Sequence, residues 1–253
     1  EVLQWARDQG CPWSSYTCDI AARFGQLAVL QWARAQGCPW TYYACDSAAA
    51  NGHMAVLQWA RAQGCAWSHN TCDWAAENGH LEVLQWARAQ GCMWTPAVCM
   101  SQAARHGRMD ILRWVADHVA VAAIPESVDV NAIRGGHLAI LQWVYGQVDY
   151  AGSMLPNGAC DMAAAHGHLH VLQCLRARGC PWTSRSCDWA AENGHLAVLQ
   201  WARTNGCDWA EYTCDAAAKN GHLEVLQWAR AQGCPWTHNT CDWAAENGYL
   251  AVL

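Results

Sequence analysis

The sequence of 253 residues is short of most features that identify an activity. No apolar run approaches the roughly 18 residues of a membrane-spanning helix, because Gln, Arg, Asp or Asn interrupts every hydrophobic stretch. Basic residues number 15 against 21 acidic, a net charge of −6. No Lys/Arg stripe of the kind that neutralises phosphates is visible, so no nucleic-acid partner is expected. No Gly-rich phosphate loop, Ser-His-Asp arrangement or isolated acidic pair stands apart from the rest of the chain. An active site is normally a unique constellation, so neither catalysis nor a cofactor is expected. The close Cys-x2-4-Cys pairs typical of zinc sites are also missing. The chain begins without Met, signal peptide or basic presequence. It opens at EVLQW and closes at LAVL, both inside the same part of a recurring unit, and reads as a segment of a longer array.

What the chain does have is that unit. CAWSHNTCDWAAENGHLEVLQWARAQG (65–91) returns at 38–64, at 180–206 and nearly verbatim from 234. A fixed period of this length marks a solenoid of stacked supersecondary units. Cys11, Cys38, Cys65 and Cys92 are spaced by one period, as are Cys180, Cys207 and Cys234, while Ala120 and Asp149 take the place between them. A second Cys follows each marker, at Cys18, Cys45, Cys72, Cys99, Cys187, Cys214 and Cys241, with Cys160 in an extended unit and Val128 in a degenerate one. The chain therefore reads as one array over 1–253 of about nine helix pairs, roughly 90 Å long. Units at 115–160 are irregular, and a Gly/Pro-bearing loop is expected at 148–159.

Each unit predicts two short helices. The first opens after Pro-Trp with a Ser or Thr cap (Ser14, Thr41, Ser68, Thr95, Thr183, Thr237) whose oxygen can take an orphan amide. Pro96 suits the first helical position, and Asn-Gly closes the helix through a left-handed Gly. The second helix runs from about His80 to Gly91. Its Leu81, Val83, Leu84, Trp86 and Ala87 cover a broad apolar arc, leaving Glu82, Gln85 and Ala89 as an outer stripe. Helices this short are marginal alone and need neighbouring units to bury their faces.

The run Cys72-Asp73-Trp74-Ala75-Ala76-Glu77-Asn78-Gly79-His80-Leu81-Glu82-Val83-Leu84 resembles the heart of the ankyrin repeat, Leu-His-Leu-Ala-Ala-x-x-Gly-His-Leu-Glu-Val-Val. The resemblance extends over essentially the whole chain. It departs at Thr-Cys-Asp, where the family has Thr-Pro-Leu-His, and in a unit of 27 rather than about 33 residues. The missing residues fall where the family builds its β-hairpin finger. The resemblance implies an all-α, ankyrin-like solenoid with fingers shortened or absent, right-handed stacking, and protein binding on the concave face.

Four ladders follow from the repeat. Cys-x6-Cys-x7-His, as in Cys38, Cys45 and His53 or Cys65, Cys72 and His80, leaves a fourth zinc ligand undefined, so no metal site is expected. The cysteines read as small, reduced core residues, which points to the cytoplasm. A disulfide ladder within units, Cys11 to Cys18 and Cys38 to Cys45, is an alternative. The Gly-His histidines (His53, His80, His137, His168, His195, His222) are expected to satisfy backbone groups at the interhelix turn. Asp46, Asp73, Asp188, Asp215 and Asp242, with Arg34, Arg61, Arg88, Arg203 and Arg230, read as inter-repeat ion pairs or a solvated face.

Surface variation concentrates on one stripe of the first helix, at i, i+4 and i+7. Its members include Tyr16, Ile20 and Arg23; Tyr43, Ser47 and Ala50; Asn70, Trp74 and Glu77; Arg185, Trp189 and Glu192; Tyr212, Ala216 and Lys219; and Asn239, Trp243 and Glu246. Tyr, Trp and Arg are the types enriched at binding hot spots. The expected function is a scaffold binding a protein partner through this face. A structural subunit of a larger complex is the alternative, and a zinc- or redox-active thiol protein is the reading from another class.

Overall fold

The computed structural model describes residues 1–118, 124–146, 155–209 and 212–249. The expected loop at 148–159 lies largely outside them, as do Ala120 and Asp149. Among the described residues there are eighteen helices and no strand. The chain divides into two compact units, Glu1–Pro125 and Glu126–Leu253.

In the first unit, α1 (Val2–Asp8) is followed by four helix pairs: α2 (Ser15–Arg23) with α3 (Leu27–Ala35), α4 (Tyr43–Ala50) with α5 (Met54–Ala62), α6 (Thr71–Asn78) with α7 (Leu81–Ala89), and α8 (Pro96–Arg105) with α9 (Met109–His118). The second unit repeats the scheme with α10 (Ser127–Gly135) and α11 (Leu138–Tyr145), α12 (Ala159–Ala165) and α13 (Leu169–Ala177), α14 (Ser184–Glu192) and α15 (Leu196–Thr204), and α16 (Thr213–Lys219) and α17 (Leu223–Ala231). It ends with α18 (Asn239–Glu246).

Residue size sets the packing. First helices carry buried Ala pairs such as Ala48/Ala49, Ala75/Ala76, Ala190/Ala191 and Ala217/Ala218, which let neighbouring backbones approach closely. Thus α2, α4, α6 and α8 pack one on the next, as do α12, α14, α16 and α18. Second helices carry Leu and Trp, and they stand farther apart than the first helices beside them. Each unit is therefore tighter on its first-helix side. On the second helices Val83, Leu84 and Ala87 are buried, Trp86 is half-buried, and Glu82, Gln85 and Ala89 are exposed, as the pattern predicts.

The expected caps form at four of six positions. The Thr41 and Ser68 hydroxyls accept the amides of Tyr43 and Asn70 at 3.1 and 3.0 Å. Thr183 and Thr237 accept those of Arg185 and Asn239 at 3.2 and 3.0 Å. Ser14 and Thr95 make no such bond, although Pro96 does start α8. Gly closes the first helices with positive φ, 72° at Gly52 and 87° at Gly79.

Candidate functional site

The face on offer is defined by what the repeat ladders leave free. The Asp ladder is neither a set of ion pairs nor a solvated face. Asp19, Asp46, Asp161 and Asp215 are at most 7% exposed, and each carboxylate accepts from Ser or Thr of the next repeat. Asp19 takes the Thr41 hydroxyl at 2.9 Å and its amide at 3.2 Å. Asp46 takes the Ser68 amide and the Thr71 hydroxyl, and Asp188 takes the Thr213 hydroxyl at 2.6 Å. Asp215 takes the hydroxyls of Thr237 and Thr240. The capping Thr41, Thr183 and Thr237 thus also donate their hydroxyls to a carboxylate of the repeat before. Asp73 has the Cys99 thiol as donor at 3.1 Å, and burial raises its pKa from the usual 3.8. Asp242, on the last first helix, is exposed.

The Arg ladder also departs from expectation. Arg34, Arg61, Arg88, Arg203 and Arg230 each donate to the carbonyl of the Cys four residues on. Each guanidinium also lies over the corner Trp: Arg34 on Trp40 at 4.3 Å, Arg61 on Trp67 at 4.0 Å and Arg230 on Trp236 at 4.1 Å. That Trp then meets the Trp of the following second helix, Trp40 against Trp59 at 5.8 Å and Trp67 against Trp86 at 6.1 Å. An Arg-Trp-Trp stack, strengthened by cation–π attraction, binds the corners where longer units carry a finger.

The histidines do what the register predicts, but across the junction. His53, His168, His195 and His222 bond through Nε2 to the carbonyls of Arg23, Arg134, Ala165 and Glu192 at 2.9–3.1 Å. The rings lie over the closing Gly of the preceding first helix: a Cβ on Gly167 would sit 2.7 Å from His195 Nδ1. Burial lowers the pKa of His80 and His195 from 6.5, so the neutral ring is favoured.

All sixteen cysteines are free. They do not pair within a unit. Cys18 meets Cys38, Cys45 meets Cys65, Cys72 meets Cys92, Cys160 meets Cys180, Cys187 meets Cys207 and Cys214 meets Cys234. Among the described residues no three His, Cys, Asp or Glu side chains gather as a metal ligand set.

With these groups consumed in cohesion, the first-helix stripe remains. Tyr16 is 70% exposed, Tyr43 46% and Tyr212 51%. Arg23, Arg185, Glu192, Lys219 and Glu246 are exposed, while Asn70, Trp74, Glu77, Trp189, Asn239 and Trp243 are half-buried. The stripe is continuous between neighbours. Lys219 Nζ lies 5.3 Å from the Trp243 ring, and Glu77 Oε1 is 3.6 Å from His106 Nε2. Between α4 and α6 a shallow pocket of about 350 Å³ is lined by Tyr42, Tyr43, Asp46, Ser68, His69, Asn70 and Trp74. It gathers Tyr43, Asn70 and Trp74 but not Glu77. Tyr42 and His69 escape the sequence pattern because they precede the regular helical turns, where i, i+4 spacing does not apply.

No protein-family model matches the chain, and no curated protein matches it. Among solved structures, the human ASB11 ankyrin repeat domain is 15% identical, with 76% of this chain and 99% of that one covered and a TM-score of 0.53. The pentatricopeptide repeat protein PPR10 from maize is also 15% identical, over 96% of this chain and 43% of its own, at a TM-score of 0.48. Among the described residues no helix is long and apolar enough to cross a membrane. The chain has the fold of an ankyrin-like helical repeat protein, built without strands among its described residues.

Proposed function

We propose that the chain is a protein-interaction scaffold whose first-helix stripe receives a protein partner. The observation that carries the reading is the aromatic pocket between α4 and α6, bordered by Tyr43 and Trp74. Asp, His, Arg and Cys of the repeat are occupied in holding neighbours together, whereas the stripe aromatics keep free surface. Exposed Tyr and half-buried Trp beside Arg and Glu supply large rigid contact area with polar handles. The net charge of −6 favours a protein over a nucleic acid. Treating 1–253 as one array of about nine pairs rests on the sequence period, and the proposed site residues are those of the stripe in each unit.

The test compares capture by three immobilised proteins: wild type, Tyr43→Ala/Trp74→Ala, and Gln58→Ala/Gln85→Ala on exposed positions of the second helices. A partner lost about 100-fold by the stripe variant and kept by the other supports the reading. Equal retention by both variants sinks it.

A further inference from the structure

Six buried thiol pairs recur at the junctions between consecutive repeats, in one register: the second Cys of a repeat meets the first Cys of the next, 20 residues on. In the pair that shows the contact most directly, Cys187 Sγ lies 2.8 Å from Cys207 Sγ, and both residues are fully buried. Elsewhere the donor sulfur lies 3.8–3.9 Å from the partner's carbonyl, as in Cys18 to Cys38, Cys45 to Cys65, Cys160 to Cys180 and Cys214 to Cys234. A packing role needs only small apolar side chains, and Ala would serve it. Two thiols brought together in one register at six junctions are a chemical arrangement.

We propose that these cross-junction thiol pairs are sites of reversible disulfide formation, stapling each repeat to the next. At Cys187/Cys207 the sulfurs need to close by only about 0.8 Å to reach the S–S bond length. The two thiols of a pair are unlike. The hydrogen bond from Cys187, with the Arg203 guanidinium nearby, holds Cys207 below the usual thiol value, and the same contact with burial pushes Cys187 up. The same asymmetry recurs at Cys45/Cys65, Cys72/Cys92, Cys160/Cys180 and Cys214/Cys234. One member is thus the readier thiolate, which is the nucleophile of exchange, and the other the resolving thiol.

The oxidant is a low-molecular-weight disulfide admitted by local opening of the junction. The Cys207 thiolate attacks one sulfur of RS–SR, breaking that bond and releasing RS⁻, which takes up a proton. Cys187 then loses its proton and attacks Cys207 Sγ, forming the protein S–S bond and releasing the second RSH. Two electrons pass from the protein dithiol to the small disulfide. The staple joins a first helix to the corner ahead of the next, and so fixes the spacing of successive rows of the stripe. Cys11 and Cys241, both exposed, and the half-buried Cys174 lie outside the six pairs and stop at the mixed disulfide, while buried Cys99 faces Asp73 instead of a thiol.

The experiment is to incubate the folded full chain with glutathione disulfide, quench with an alkylating agent, and map non-reduced peptides by mass spectrometry. The expected record is fast glutathione adducts at Cys11 and Cys241, then slower loss of about 2 Da per pair without adduct. Crosslinked peptides should join cysteines 20 residues apart, and the urea midpoint should rise and return on dithiol treatment. Cys207→Ala should remove one crosslink and leave the others; Cys65→Ala is the parallel variant should the first fail to fold. Paired cysteines that stay free until the chain is unfolded, or crosslinks in any other register, overturn the proposal.

Discussion

The Asp clasp is the junction device whose strength is most open to measurement, and Asp161 is the place to probe it. Its carboxylate is 7% exposed. Asp161 Oδ1 accepts from the Ser186 hydroxyl and, at 2.8 Å, from Thr183; Oδ2 also lies 2.8 Å from the Thr183 hydroxyl. Ser186 is fully buried, and Thr183 caps α14 in a capping box with Ser186. Asp161→Ala removes two hydrogen bonds to a charged acceptor, each contributing about 1.5–3 kcal/mol. It also relieves the carboxylate's own desolvation, so the net loss is about 3 kcal/mol. Asp161→Asn keeps Oδ1, which can serve both hydroxyls, and loses only the charge; its cost is about 1 kcal/mol. Urea unfolding gives the totals. Because a repeat array need not unfold in one step, amide exchange in α14 supplies the local reading. A loss below about 0.5 kcal/mol for Asp161→Ala, as for an ordinary surface site, refutes the clasp. Equal losses for Ala and Asn refute the division of labour between the two oxygens.

Two further outcomes follow from the same junctions. Gly167 and Gly206 both have positive φ, 74° and 85°, but only at Gly167 does a Cβ meet the His195 ring; Gly206→Ala should cost about 1 kcal/mol and Gly167→Ala about twice that, compared by urea midpoint. In the second unit, burial raises Asp129 to about 6 and lowers His195. The raised carboxyl contributes stability present below its unfolded value of 3.8 and lost as pH climbs through about 6, up to about 3 kcal/mol. The lowered imidazole contributes stability present above 6.5 and lost as pH falls through its folded value. Asp129→Asn should therefore lose more stability than wild type between pH 7 and 4.5, and parallel pH curves would show that Asp129 is not desolvated.

Fold and cohesion were unequally legible in the sequence. Helix pairs, the Gly closures and the apolar arc of the second helix came through because their information is local, within one turn or one face. The cap residues were legible for the same reason, but their second bond was not: Thr183 donates to a carboxylate 22 residues earlier, and spacing along the chain does not reveal it. Asp and Arg of the repeat looked like partners for each other because both are charged and recur together. The structure gives them other partners, hydroxyls for Asp46, Asp188 and Asp215 and a thiol for Asp73, and a carbonyl with an indole face for Arg, with Asp208 also 3.9 Å from Arg203. The cysteines are free and mostly buried, as small core residues should be, but their contact spans 20 residues between repeats, which the seven-residue spacing within a unit does not reveal.

That shift from pairs within a repeat to pairs between repeats also bears on how the chain presents a surface. Among the described residues, junctions within each unit carry a carboxylate clasp, a histidine on a carbonyl, an Arg-Trp-Trp contact or a thiol pair, often several together. The clasp, the histidine bond and the thiol pair tie a repeat to its neighbour across 20 to 34 residues of chain, and the Arg-Trp-Trp contact does so at the corner between them. Where they touch the stripe they use its backbone, as at the Arg23 and Glu192 carbonyls bonded by His53 and His222. A side-chain substitution on the stripe leaves those backbone bonds in place and alters only the stripe's own contacts, such as Lys219 on Trp243, so Ile20, Ser47, Trp74 and Ala216 can occupy one place in different repeats while Asp, Cys and Ala beside them recur. Variation confined to a surface that cohesion does not need is what allows an array to change its partner without changing its fold.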